Sequence, residues 1–199
     1  MELTRQIWAF VITLAAVING LGIVQLVKGF GYYLKNHSVI NVRHYWVYTL
    51  LAVFQLLAHL LLWWSILGVT RTVEHINFLT YLYIITGPTL LYLGTSVIVP
   101  ELKDASIDLR KEYFNFRKTF FSIMAAFWLW VMFVWPVLGH KFPPTISLLI
   151  AWLFISLVLR FTDNLKIHAV LALANLIVYA AFIVLFAMQA GGVSSSVIG

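Results

Sequence analysis

Cysteine is missing from the 199-residue chain, so neither a disulfide nor a thiolate metal site is open to it, and the usual marker of redox compartment is missing with it. Charge is scarce as well. Asp, Glu, Lys and Arg make up 10% of the residues, where a soluble domain carries roughly 25%. The familiar catalytic signatures are lacking too: there is no H-E-x-x-H, no phosphate-binding Walker loop, no dinucleotide-binding glycine pattern and no nucleophile elbow. The one glycine cluster, Gly20, Gly22, Gly29 and Gly31, sits in or beside an apolar run rather than after a strand. Small residues there let helices approach closely, so the cluster reads as packing.

What remains is apolar. Hydrophobic residues reach 62% and the mean hydropathy is +0.95, with eight Trp, nine Tyr and fifteen Phe. A chain of this kind belongs in a bilayer, where amphipathic rings favour the headgroup level and bulky ones fill helix interfaces. Crossing a hydrocarbon core about 30 Å thick takes roughly 17–25 residues. Six segments meet or approach that length, at 6–30, 45–68, 77–99, 118–139, 145–161 and 166–190. The fifth is the shortest, and Pro143 and Pro144 fix where it can begin. The first is too long and mixed for a signal-peptide core and is expected to stay in the mature protein. The expected fold is therefore all-α: a polytopic integral membrane protein of about six transmembrane helices, forming one helical-bundle domain over 1–199.

Basic residues set the orientation. Lys28, Lys35, Arg43, Lys103, Arg110, Lys111, Arg117, Lys118, Arg160 and Lys166 fall on one side of the predicted spans, against Arg5, Arg71 and Lys141 on the other, ten and three of the thirteen in total. By the positive-inside rule the richer side is cytoplasmic and both termini are outside. The net charge of +6 thus reads as a topology signal and an attraction to anionic inner-leaflet lipid, not as a nucleic-acid surface.

The linker PELKDASIDLRKEYFNF begins at Pro100 and places Leu102, Ala105, Leu109, Tyr113, Phe116 and Phe120 at helical spacing, with Lys103, Asp104, Asp108, Arg110, Lys111 and Glu112 around the remainder. The pattern predicts a cytoplasmic amphipathic helix over 101–116 that runs into the fourth span. It would lie on the lipid surface, cover the bundle, or dock a cytoplasmic partner. The tail at 191–199, GGVSSSVIG, reads as flexible. Three spans on each side of the linker would permit inverted halves, although the halves do not match in sequence.

Within the stretch VFQLLAHLLLWWS, Gln55 and His59 stand four residues apart in an otherwise apolar run. At about 1.5 Å per residue, entry from the cytoplasm at Tyr45 puts Gln55 roughly 15 Å deep and His59 roughly 21 Å deep, on one helix face. Facing lipid would cost several kcal/mol per group, so the stripe is expected to turn inward. Asn19, the Gly87–Pro88 pair, Tyr92 and Asn175 lie at comparable depth on other spans. Tyr81, Pro88, Tyr92 and Thr95 line the third helix, and His168, Asn175, Tyr179 and Gln189 share a face of the sixth. These residues suggest a midplane polar layer. Such groups either glue helices together or form a solute or ion pathway; Gln55, His59, Asn19, Pro88, Tyr92 and Asn175 are the candidates for the second role. His59 stands apart because an intramembrane ionisable side chain is by default a functional candidate.

His44 and His168 fall near the cytoplasmic ends of the second and sixth spans and could face each other across a haem; no haem is expected, and a zinc site from His37, His44 or His168 is less suited still because acidic partners are few. The stretches HYWVYTLLAVFQLLAHLLLWWS (44–65), GPTLLYLGTSVIVPE (87–101) and DLRKEYFNFRKTFF (108–121) together resemble a pattern found in small multi-pass bacterial proteins usually labelled hypothetical. That resemblance implies a bacterial inner-membrane protein with about six helices and carries no activity or site residues. The leading expectation is a small channel or transporter for an ion, proton or small solute, assembled as a homo-oligomer. The alternatives are a noncatalytic scaffold or accessory subunit, and a membrane redox or lipid-modifying enzyme.

Overall fold

The computed structural model describes residues 2–36, 41–69, 77–99 and 106–188. Six α-helices account for nearly all of them: α1 (Glu2–Asn36), α2 (Trp46–Val69), α3 (Phe78–Ile98), α4 (Leu109–Val137), α5 (Ile146–Phe161) and α6 (Leu165–Phe182), the last continued by a π turn, Ile183–Ala187. Five are long and apolar enough to cross a membrane, and α5, with 16 residues, is the short one. At about 1.5 Å per residue α5 measures roughly 24 Å. Large apolar side chains cover the outside of the bundle: Phe10, Leu79 and Ile177 are 69%, 74% and 70% exposed. A surface so continuously apolar suits lipid and not water.

Local signals set the helix ends. Asn77 caps α3 by accepting the Thr80 amide at 2.9 Å, and Asn164 caps α6 by accepting the Lys166 amide at 2.9 Å. Pro136 falls in the last turn of α4, and Gly139, with φ of 83°, then supplies the left-handed residue that turns the chain away. Inside α3, Pro88 has no amide to give its own helix, and Gly87 beside it lets α4 come close. A Cβ on Gly87 would stand 2.3 Å from Trp130 Cη2. Trp130 uses that proximity: its indole N–H donates to the Tyr83 carbonyl at 2.7 Å, and the Tyr83 hydroxyl donates to the Trp130 carbonyl at 2.7 Å.

The expected amphipathic helix over 101–116 is corrected in part. Residues 101–105 lie outside the described residues, as do His37, Gln189 and the tail at 191–199. Ser106–Asp108 is instead a short strand, β2, paired in parallel with β1 (Asn41–Arg43) in the register Val42 opposite Ile107. The helix begins only at Leu109, because Asp108 is in extended conformation and its carboxylate accepts the amides of Arg110 at 2.9 Å and Lys111 at 3.1 Å. A side chain that satisfies those first amides starts a helix where it stands. From Leu109 onward the amphipathic stretch is one helix with the apolar segment that follows it.

Candidate functional site

Gln55 and His59 do turn inward, with 1% and 0% of their surface exposed. Asn19 on α1 and Thr95 on α3 meet them. His59 Nδ1 lies 2.7 Å from Asn19 Oδ1, and Asn19 Nδ2 donates to the His59 carbonyl at 3.1 Å. The amide oxygen accepts only, so His59 Nδ1 carries the proton and Nε2 is the acceptor. The Thr95 hydroxyl, 2.8 Å from Nε2, is therefore the donor there. Gln55 Nε2 in turn donates to Thr95 Oγ1 at 3.2 Å and to the Leu91 carbonyl at 2.9 Å. Each bond fixes the direction of the next, so the cluster is a closed knot across α1, α2 and α3. Two glycines admit it: a Cβ on Gly22 would stand 2.3 Å from His59 Cε1, and one on Gly94 would stand 3.2 Å from Gln55 Nε2.

The remaining candidates scatter. Pro88 is buried in α3, where the Gly87–Trp130 approach occurs, and Tyr92 is half-buried outside the knot. Asn175 faces a different part of the interior, and its Oδ1 is buried with no hydrogen-bond partner among the described residues. His44 is exposed in the stretch between β1 and α2. His168 is fully buried, with Nε2 2.9 Å from the Thr162 carbonyl and Nδ1 2.7 Å from the Tyr113 hydroxyl. The carbonyl obliges Nε2 to carry the proton, which leaves Nδ1 as the acceptor for Tyr113. Both ring nitrogens of His168 are thus engaged within the protein, while His44 lies exposed.

Near His168 lies a residue that sequence reasoning counted only as a topology charge. Arg117 is 3% exposed; its Nη1 donates to the carbonyls of Leu159 at 3.4 Å, Arg160 at 3.1 Å and Thr162, and its Nη2 pairs with Asp163. A guanidinium placed over the last carbonyls of α5 satisfies groups that the helix leaves open and matches the negative end of its dipole. Arg117 therefore ties α4 to the α5–α6 connection.

The empty space in the bundle is elsewhere. A cavity of about 140 Å³ reaches the α4–α5 connection at Pro143, Pro144 and Thr145 and is walled by Trp8, Trp64, Trp128, Trp130, Trp135 and Trp152. Six of the eight tryptophans of the chain line it. A smaller cavity of about 40 Å³ lies between α2, α4, α5 and α6, with Gln55, Ser156, His168 and Asn175 on its wall. Trp128, Trp152 and Tyr179 line both. Trp128 and Trp152 stack at 4.4 Å with planes 8° apart, and Trp152 leans on Tyr179 at 4.8 Å. Tyr179 is held by its hydroxyl, which donates to the Phe54 carbonyl at 3.2 Å. Sequence reading missed this feature because its tryptophans come from four helices at unrelated spacings. Gln55 is the residue that the knot and the smaller cavity have in common.

No family model matches the chain, and no curated protein or solved structure is similar to it.

Proposed function

We propose that the chain is a polytopic protein of the bacterial inner membrane, with six spans and both termini outside, that takes up a small uncharged solute along two cavities inside the six-helix bundle. One observation carries this reading: two cavities in series, one aromatic and one edged with polar groups, meet at the wall formed by Trp128, Trp152 and Tyr179. Parting of that wall would join them, and its closed form keeps the bilayer sealed. The orientation rests on the excess of Lys and Arg at the end of the bundle that carries β1 and β2, which is the cytoplasmic end under the positive-inside rule. The larger cavity then opens toward the outer ends of the helices.

The midplane polar layer takes a different role in this reading. His59, Asn19 and Thr95 spend their polar atoms on one another, so they hold α1, α2 and α3 as a fixed wall while the solute passes beside it. Gln55 and Asn175 are the layer's members on the route.

Stopped-flow light scattering on proteoliposomes, with uncharged solutes from glycerol to resorcinol, tests the proposal. Saturable influx above that of empty liposomes is expected for at least one solute, together with its loss in Ala58→Phe, which puts a ring into the larger cavity from a wall residue. Influx equal to empty liposomes for every solute contradicts it.

A further inference from the structure

The larger cavity has four properties that together specify a ligand. Among the described residues it contains no Asp, Glu, Lys, Arg or His, and an ion brought there would lose its hydration with no countercharge in return. Its principal surfaces are flat: the stacked Trp128–Trp152 pair, and Phe127 against Trp130 at 5.9 Å and 22°. Its volume, about 140 Å³, is that of an apolar cavity which accepts one benzene-sized ring, about 150 Å³.

The fourth property concerns hydrogen bonding. Trp8 Nε1 and Trp152 Nε1 are both buried without a partner among the described residues, and both tryptophans line this cavity. A buried indole N–H normally finds an acceptor, and leaving it unpaired forfeits its hydration. By contrast Trp130, in the same wall, has its N–H bonded to Tyr83. Tyr179 cannot serve these donors by turning its hydroxyl to the cavity without giving up its bond to Phe54. Neither nitrogen is open to the empty cavity, so a ligand reaches these donors by a small turn of either ring, and it does so between flat apolar faces. A hydrocarbon ring would fill the space and leave the donors unpaired, and an acyl chain would leave the flat faces poorly covered.

We propose that this cavity binds an uncharged single-ring compound bearing a carbonyl, of the aryl ketone or quinone class, whose oxygen accepts from the indole N–H of Trp8 or Trp152. The assignment rests on the cavity being the protein's ligand site, as proposed above, and adds the chemistry of the ligand. The π turn after α6 contributes Phe186 to the same wall, next to Phe182 at 6.0 Å; π turns recur where a helix is reshaped around a site.

The test uses the full chain in nanodiscs with ¹⁵N-indole tryptophan, assigned with Trp8→Phe and Trp152→Phe, and three probes of nearly equal size: acetophenone, ethylbenzene and benzoate. Equilibrium dialysis against empty nanodiscs gives affinities relative to the free aqueous probe. Acetophenone is expected to bind about tenfold tighter than ethylbenzene, the effect of one good hydrogen bond, and to shift the Trp8 or Trp152 indole resonance, whereas benzoate does not bind. The phenylalanine variant of the responding tryptophan should lose that preference while keeping the ethylbenzene affinity. Equal binding of ethylbenzene and acetophenone with neither of those resonances moved overturns the carbonyl assignment and leaves the cavity as a ligand site. Tighter binding of benzoate overturns the uncharged class. Failure of every probe to perturb any wall tryptophan overturns the assignment and the underlying site together.

Discussion

His59 and Asn19 exchange two hydrogen bonds, side chain to side chain at 2.7 Å and side chain to backbone at 3.1 Å. The pair joins α1 to α2 in the part of the bundle where water is least available to replace it. Truncating His59→Ala leaves Asn19 Oδ1 and the Thr95 hydroxyl without their partner and opens a void. A loss of about 2–4 kcal/mol is expected from unpaired groups and cavity together, read as unfolding free energy in a mixed-micelle titration. Unchanged stability would show that the knot does not clamp α1 to α2.

Gly22 tests the same clamp by crowding instead of deletion. A methyl group there meets the His59 ring at 2.3 Å, and the ring is pinned from both sides and cannot swing away. Gly22→Ala should cost about 1–3 kcal/mol, while Gly20→Ala, with open space around its added Cβ, should be neutral or slightly stabilising. Equal effects of the two substitutions would contradict the packing.

Arg117 and Asp163 should be unequal partners. The arginine is 3% exposed and reaches three backbone carbonyls, whereas the aspartate side chain is 78% exposed. Arg117→Met strips the α5 carbonyls of their donor and should cost about 3 kcal/mol; Asp163→Asn removes a solvent-screened charge and should cost less than about 1 kcal/mol. Hydrogen exchange of the α5–α6 connection would locate the effect, and matching losses in the two variants would mean that the ion pair, not the helix cap, matters.

Asp108 gives α4 a pH-dependent start. The amides of Lys111 and Arg110, with the nearby Arg43 and Arg110 charges, hold its carboxyl below the usual carboxylate range. A group whose pKa is depressed in the folded state stabilises above its unfolded value and loses that contribution as pH falls through the folded one. Protection of the first turn of α4 should therefore be constant from neutral pH down to about 4, near the ordinary aspartate pKa, and fall below it. Asp108→Asn should keep the cap and lose the pH dependence. A pH dependence that survives in Asp108→Asn would place it on another group.

Sequence reading reached the helices and the inward turn of Gln55 and His59 because both follow from period and polarity in a single segment. Asn19 was legible as a partner by depth alone. Thr95 belongs to the α3 stripe but carries no signal of its own, since a threonine in an apolar helix usually bonds its own backbone, as Thr86 and Thr89 do. The helical spacing of Leu102, Ala105 and Leu109 hid the strand at Ser106–Asp108, because a capping aspartate interrupts a helix without disturbing the apolar period. Arg117 carried the same basic signal as the surface lysines, and only the position of the end of α5 reveals what it caps. The cavity was the least legible feature, for its walls meet only after all six helices are packed.

Access to that cavity is the most direct test of the route through the bundle. The absence of native cysteine makes single-cysteine labelling clean. Ala58→Cys, on the larger cavity, and Ser156→Cys, on the smaller, would be placed in right-side-out and inside-out vesicles and treated with a small water-soluble thiosulfonate that does not cross lipid. The expected result is modification of Ala58→Cys from the outer side and of Ser156→Cys from the cytoplasmic side, each slowed when the solute that enters proteoliposomes is added. Reaction of neither cysteine from either side, in protein that labels fully once denatured, would contradict a solute route through the two cavities of the bundle.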